Sequence, residues 1–365
     1  FINGKTFTGV NMKKFLTVLL GVILAVCTFS LIACDKDKGN SGEVTVVRKS
    51  GDTYILNVYQ TEYDSENNAV TDVTVGKTDG FTMKSGEKVT VTKIKSGAFK
   101  GNSVIENLTI DKNVTEIGQG AFAEMTALKT LTVPFAGGSL DAVNEERLLG
   151  YLFGTTEYEG GIAITQTKNA GDTSGTTYYI PKTLERIVLK YEGEEAYNLP
   201  ERAFNGVNIE TVEISGNIVS IGESAFEKAY VTSMTIPAGV ETIGESAFAN
   251  CPRLTSVTFA ANSKVKEIGK KAFYGYKGTK IEGTAALLEK IGESAFEGSS
   301  SLTVLFESET LEGNSGLSAV TSFGKYAFKD CKNLDCNKIT FNANKTIYPD
   351  AFSGCLNEDR ITYVK

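Results

Sequence analysis

The chain has 365 residues, 41% of them hydrophobic, with 37 glycines, 6 prolines and a net charge of −7. It contains no histidine, which excludes Ser-His-Asp and Cys-His nucleophile systems and imidazole-dependent zinc sites. The acidic balance argues against nucleic acid as a partner, because phosphate neutralisation needs clustered Lys and Arg.

The first recognisable element is an address. Met12-Lys13-Lys14 precedes an uncharged stretch from Phe15 to Ala33, and the stretch ends Leu31-Ile32-Ala33-Cys34 before a polar run. A basic start, an apolar middle and a small residue before the cut form a secretory signal. The Leu-x-Ala-Cys ending resembles the lipobox of bacterial lipoproteins. That resemblance implies cleavage before Cys34, acylation of Cys34 and attachment to the outer face of the membrane. The alternative is an uncleaved membrane helix, since the stretch is close to the ~20 residues a bilayer needs. Residues 1–11 read as upstream translation, so residues 1–33 stand apart from the fold. Their removal takes Lys5, Lys13 and Lys14 and no acid, leaving −10. Residues 34–42 suit a flexible tether.

Residues 43–87 read as an N-terminal β cap, because Glu43–Val47 and Thr53–Tyr59 alternate like strands. A solenoid needs such a cap, since an end coil otherwise exposes its core.

Internal repeats dominate residues 88–365. Ile-Gly-Glu-Ser-Ala-Phe occurs verbatim at 221–226, 243–248 and 291–296. Relatives end at Phe99, Phe122, Phe204, Phe273, Phe328 and Phe352, and successive motif phenylalanines are 23, 82, 22, 22, 25, 23, 32 and 24 residues apart. A period of this size signifies a solenoid. Each copy is followed by an alternating run such as Leu128–Val133, Ile209–Ile214, Val231–Ile236 or Leu254–Phe259. The apolar-x-x-apolar-x-apolar pattern with β-branched residues predicts a short strand, the strand half of a leucine-rich repeat. The motif phenylalanine is expected to point inward and stack on the next coil's. The motif glycine is expected to take positive φ in a tight turn.

The thrice-repeated hexapeptide resembles the BspA-like leucine-rich repeats of bacterial surface proteins, over about residues 88–365. Cys251, Cys331 and Cys355 each sit three residues after a motif phenylalanine, where that family often has cysteine. The resemblance implies a surface-exposed, non-enzymatic protein used in adhesion or protein binding, without cofactor and without a particular ligand. The expected fold is an α/β repeat solenoid. It is a β-rich horseshoe of about ten coils of 22–25 residues, with a parallel sheet on one face and short turns or helical segments opposite.

Residues 134–180 break the period. Arg147–Gly154 resembles an insertion found in the family and suggests a variant coil, and Ile180–Leu189 reads as another repeat strand.

Two outward registers define the expected binding face. One holds Thr109, Thr132, Glu213, Thr235 and Thr258, and the other Asn107, Thr130, Thr211, Ser233 and Ser256. A hydroxyl-rich sheet suits an extracellular protein or glycan ligand. Threonine also suits any exposed strand and pairs with itself between coils. Cys331 and Cys355, equivalent in adjacent coils, are candidates for a disulfide or for two buried thiols. A metal site from Cys331, Cys336 and Cys355 lacks a Cys-x2-Cys pair. Glu223, Glu245 and Glu293 recur because the repeat recurs, which favours a turn role over paired-carboxylate chemistry. Glu157 and Glu159 are the candidates for a carboxylate hydrolase or a calcium contact, though nothing around them resembles a calcium loop. A surface-binding lipoprotein is therefore the leading expectation. An envelope scaffold without a diffusible ligand is second, and a hydrolase third.

Overall fold

Alternating runs put apolar side chains on one side of an extended backbone and polar ones on the other, so each run needs a surface to cover. In a computed structural model, which describes residues 31–33 and 46–363 except 63, 67, 84, 170, 173, 308–312 and 314, coils meet that need by stacking. Along Thr130–Val133 the leucine and valine are buried and the threonines half-buried. Ser233–Ile236 repeats the pattern with its serine and threonine exposed.

Three hydrogen-bonded rows run along the stack. The first is the strand row. Asp72–Val75, Asn107–Ile110, Thr130–Val133, Arg186–Tyr191 and Thr211–Gly216 form a parallel five-stranded sheet. Ser233–Ile236, Ser256–Phe259, Lys280–Glu282 and Val304–Leu305 form a four-stranded one. Ser315–Leu317 and Ile339–Phe341 add a pair.

The second row passes through the motif isoleucines. Tyr197–Leu199, Ile218–Ile221, Thr242–Ile243, Glu267–Ile268, Lys290–Ile291, Ser322–Phe323 and Thr346–Ile347 make a seven-stranded parallel sheet. Nearer the N-terminus, Thr53–Val58, Lys93–Ile94 and Glu116–Ile117 pair in the same way. The hairpin partner Val46–Ser50 lies antiparallel to Thr53–Val58 and also pairs with Leu31–Ala33. Since Thr53–Val58 and Asp72–Val75 join the first two rows, residues 46–87 carry the first rung of the stack.

The third row is built from Ala-Phe. The Phe226 amide donates to the Ala247 carbonyl at 2.8 Å, Phe248 to Ala272 at 2.7 Å and Phe273 to Ala295 at 2.8 Å. The same bond recurs from Phe99, Phe204, Phe296 and Phe328, and Tyr59 starts the row by donating to Ala98. The rings follow the backbone inward. From Phe204 through Phe226, Phe248, Phe273, Phe296 and Phe328 they stack face to face at 5.0–5.3 Å and within 7° of parallel. Every one is at most 1% exposed. Together the rows form a β-solenoid of about ten turns.

Two expectations change. Among the described residues the helical elements are short 3-10 turns, at Asn144–Arg147, Leu149–Leu152, Cys336–Lys338 and Glu358–Arg360, so the helical segments of an α/β repeat are not what lies opposite the strands. The reason is local. Residues two before and two after the phenylalanine are left-handed, as at Ser224 (φ 52°) and Lys228 (φ 58°), or Ser246 (φ 55°) and Asn250 (φ 57°). Left-handed residues interrupt a helix, and their amides, with that of the phenylalanine between them, bond the next coil, as Ser224 does to Glu245 and Lys228 to Ala249. The second correction concerns the motif glycine, which does not take positive φ at Gly222, Gly244, Gly269 or Gly292. It is required by close approach. A Cβ on Gly244 would sit 2.8 Å from the Gly222 carbonyl carbon, and one on Gly269 2.8 Å from that of Gly244.

The long gap hides a rung. Phe122 donates to the Leu152 carbonyl at 2.9 Å and meets the Phe153 ring at 6.2 Å, so Leu152-Phe153 stands in for Ala-Phe. An antiparallel hairpin, Gly161–Gln166 with Thr176–Pro181, then leaves the coil before the strand Arg186–Tyr191 resumes it. At the other end Ile361 and Tyr363 pack against the core. Burial there pushes the Tyr363 phenol up to about 12.

Candidate binding face

Strand pairing brings the outward residues into rows. Asn107 lies between Asp72 and Thr130, and Thr130 is followed by Arg186 and Thr211. The second file of this sheet runs Thr74, Thr109, Thr132, Val188 and Glu213. In the four-stranded sheet Ser233 pairs with Ser256, and Thr235 with Thr258 and then Glu282. The ten expected residues thus fall into a group of six and a group of four on successive sheets. The strand row is interrupted between Thr211–Gly216 and Ser233–Ile236, which share no strand pairing.

Charge decorates the rows. The Asn107 amide donates to Asp72 Oδ1 at 2.8 Å, Arg186 Nη2 pairs with Glu213 Oε2 at 2.7 Å, and Thr258 Oγ1 donates to Glu282 Oε2 at 3.4 Å. Asp72, Thr74, Arg186, Val188 and Glu282 were outside the expected set. The first two lie in the segment read as a cap, although Asp72-Val-Thr-Val alternates like every later strand. Arg186 and Val188 follow the hairpin, where the period is broken.

The carboxylates considered for chemistry are placed otherwise. Glu157 and Glu159 are exposed on the turn before the hairpin. The backbone carbonyls of Glu223, Glu245 and Glu293 accept from Arg202, Ser224 and Lys271 of the preceding coils, which is the turn role. The side chains of Glu245 and Glu293 line an open groove of about 370 Å³ along the isoleucine row, floored by Gly244, Gly269 and Gly292. Four of its five charges are partnered, Lys290 with Glu267 at 2.7 Å and Lys270 with Glu293 at 3.9 Å, while Glu245 makes no ion pair among the described residues.

The four described cysteines are buried free thiols. Cys251, Cys331 and Cys355 donate Sγ–H to the phenylalanine carbonyl of the preceding coil, at 3.0, 3.1 and 3.2 Å. Ser299 occupies the same position and makes the same bond to Phe273 at 3.3 Å. The position therefore needs a small donor. Burial pushes Cys251 up to about 12, so it is an inert structural thiol. Among the described residues no group of three His, Cys, Asp or Glu is arranged to hold a metal. Cys34 lies outside the described residues.

A family model for the BspA-type leucine rich repeat region, in six copies, matches residues 82–143, 196–315 and 304–364, more than half of the chain. The chain belongs to the BspA-type leucine-rich repeat family. No curated protein matches its sequence. Solved structures similar to it include a leucine rich cell surface protein from Faecalibacterium prausnitzii, at 19% identity over 84% of this chain and 95% of that one with a TM-score of 0.32. A leucine-rich repeat protein from Bacteroides ovatus is similar at 21% identity over 90% of this chain and 92% of that one, with a TM-score of 0.35. As a BspA-type repeat array, the chain stacks near-identical coils, and its outward polar residues fall on successive sheets of the strand row.

Proposed function

We propose that this BspA-type protein acts at the bacterial cell surface, held by a lipid on Cys34, and binds an extracellular protein or glycan through the strand row of a horseshoe-shaped solenoid. The observation that carries the reading is the alignment of Asn107, Thr130, Thr211, Ser233 and Ser256 and their neighbours on successive parallel strands, with their apolar partners locked in the core. A rigid ladder of hydroxyls, amides and paired charges offers many weak polar contacts without moving. Glycans and polar protein surfaces match such a face. The N-terminal pattern ending Leu31-Ile32-Ala33-Cys34 supports export and anchoring. The protein is read as a binder and not as a catalyst, because two of the three acids of the open groove are held in ion pairs, which leaves Glu245 without a second free carboxylate, and those of the insertion stand apart on an exposed turn.

The test is a binding screen of the full chain against extracellular-matrix proteins, bacterial surface extracts and a glycan panel. A partner whose binding weakens when Thr130, Ser233 and Ser256 are changed to lysine supports the face. A partner indifferent to all three changes places recognition elsewhere. A folded protein that binds nothing in the screen counts against the reading.

A further inference from the structure

The last coils carry more thiol than the repeat requires. One donor per coil satisfies the phenylalanine carbonyl, and Ser299 shows that a hydroxyl suffices. Cys251 does this alone. Cys331 and Cys355 do it in neighbouring coils, and the Cys355 thiol also contacts those of Cys331 and Cys336. Cys336 is off the repeat position, fully buried in a 3-10 turn whose amide bonds Leu356 of the last coil at 2.9 Å.

We propose that Cys331 and Cys355 are an oxidation site that closes a disulfide between the last two described coils. Their geometry is set by the stack. The rings of Phe328 and Phe352, three residues before each cysteine, lie 5.0 Å apart, and the Phe328 amide bonds Ala351. Equivalent residues of coils so spaced have Cα atoms about 5 Å apart, inside the roughly 4.4–6.8 Å range that a disulfide spans. Cys355 Sγ points back toward the coil of Cys331, since it bonds the Phe328 carbonyl.

The chemistry is thiol–disulfide exchange with a small-molecule or protein disulfide as oxidant. The Cys355 thiolate attacks one sulfur of the oxidant and releases a thiol. The Cys331 thiolate then attacks the mixed disulfide at Cys355 and displaces the second thiol. Two cysteines are oxidised and one disulfide is reduced to two thiols. In the docked coil the hydrogen bond with Cys331, with burial behind it, pushes the Cys355 thiol well up, so the bond closes when that coil opens locally. Among the described residues Cys251 has no thiol neighbour, and it serves as an internal control.

The full chain is incubated with oxidised or reduced glutathione, alkylated and mapped by mass spectrometry. Cys331, Cys336 and Cys355 lie on separate tryptic peptides, 330–332, 333–338 and 346–360. The expected product links the first and third of these by a disulfide and leaves Cys251 and Cys336 alkylated. Oxidation should raise the melting temperature by about 4 °C or more in the wild type. Cys331→Ser should fold, keep its bond to Phe296 as Ser299 does to Phe273, and lose both the link and the shift. Cys336→Ser should keep both. Quantitative alkylation of Cys355 after oxidation, or a link from Cys355 to Cys336, overturns the assignment.

Discussion

Gln166 donates its side-chain amide to the Ala203 carbonyl at 3.2 Å. The same amide reaches the Asn205 carbonyl at 3.1 Å, while its oxygen accepts from the Gly150 amide at 2.7 Å. One fully buried side chain thus repairs the Ala-Phe row where the hairpin interrupts it. Gln166→Leu leaves the Gly150 amide and the Asn205 carbonyl unpaired and should cost about 2–4 kcal/mol in urea unfolding. Gln166→Glu keeps the bond from Gly150 but turns a carboxylate toward two carbonyls. Burial raises that carboxyl in the folded state, so the variant should regain stability as pH falls and the acid protonates. A variant equally stable at pH 5 and pH 8 would contradict this role.

Phe248 stacks on Phe226 and on Phe273, both at 5.1 Å. Phe248→Ala removes a ring from the middle of the row, with an expected loss of about 3–5 kcal/mol. Because coils contact only their neighbours, the loss should also split a single unfolding transition into two. Calorimetry reads both effects, and one undivided transition with a small shift would show that the stack is not continuous.

Gly244 and Ser246 give opposite results two residues apart. Gly244→Ala drives a methyl against the coil below and should cost about 1–3 kcal/mol. Ser246→Gly places glycine where φ is 55° and should be tolerated within about 1 kcal/mol. Equal losses in chemical denaturation would mean that crowding and backbone strain had been assigned to the wrong residues.

Glu241 and Lys266 pair between coils at 2.7 Å. The hydrogen bond from Lys266 lowers the Glu241 carboxyl from its ordinary 4.5. A depressed carboxyl contributes above its unfolded value and loses that contribution as pH falls through the folded one. Lys266→Gln should return Glu241 to the ordinary range in a side-chain NMR titration. An unchanged midpoint would rule out the pair as the cause.

Much of this architecture could be read from the chain because each coil repeats its neighbour's pattern. The inward phenylalanines, the alternation of Thr130–Val133 or Ser256–Phe259 and the registers of the outward residues all follow from periods of two residues and about 23. What depended on contact between coils could not be read that way. Gly244 looks like a turn glycine in one copy, and only the coil below reveals why a Cβ is forbidden. Ser246, which does take positive φ, carries no sequence mark of it. Leu152-Phe153 lost the alanine that marks the motif, so its stretch read only as a variant coil, and Asp72–Val75 lacked the motif nearby, so that rung was missed. On the candidate face the file of Asn107, Thr130 and Thr211 was legible. Asp72 and Arg186 became its neighbours only through strand pairing.

The bond from Phe226 to Ala247 is the bond from Phe248 to Ala272, so the top of each regular coil matches the underside of any other. Such an array behaves as a ruler with interchangeable divisions. Excising 227–248 would bring Phe226 against Phe273 through contacts already in use, shortening the protein by roughly 5 Å. Length along the axis, and with it the number of side chains a partner can meet, is therefore a quantity that recombination can adjust one coil at a time without a new interface.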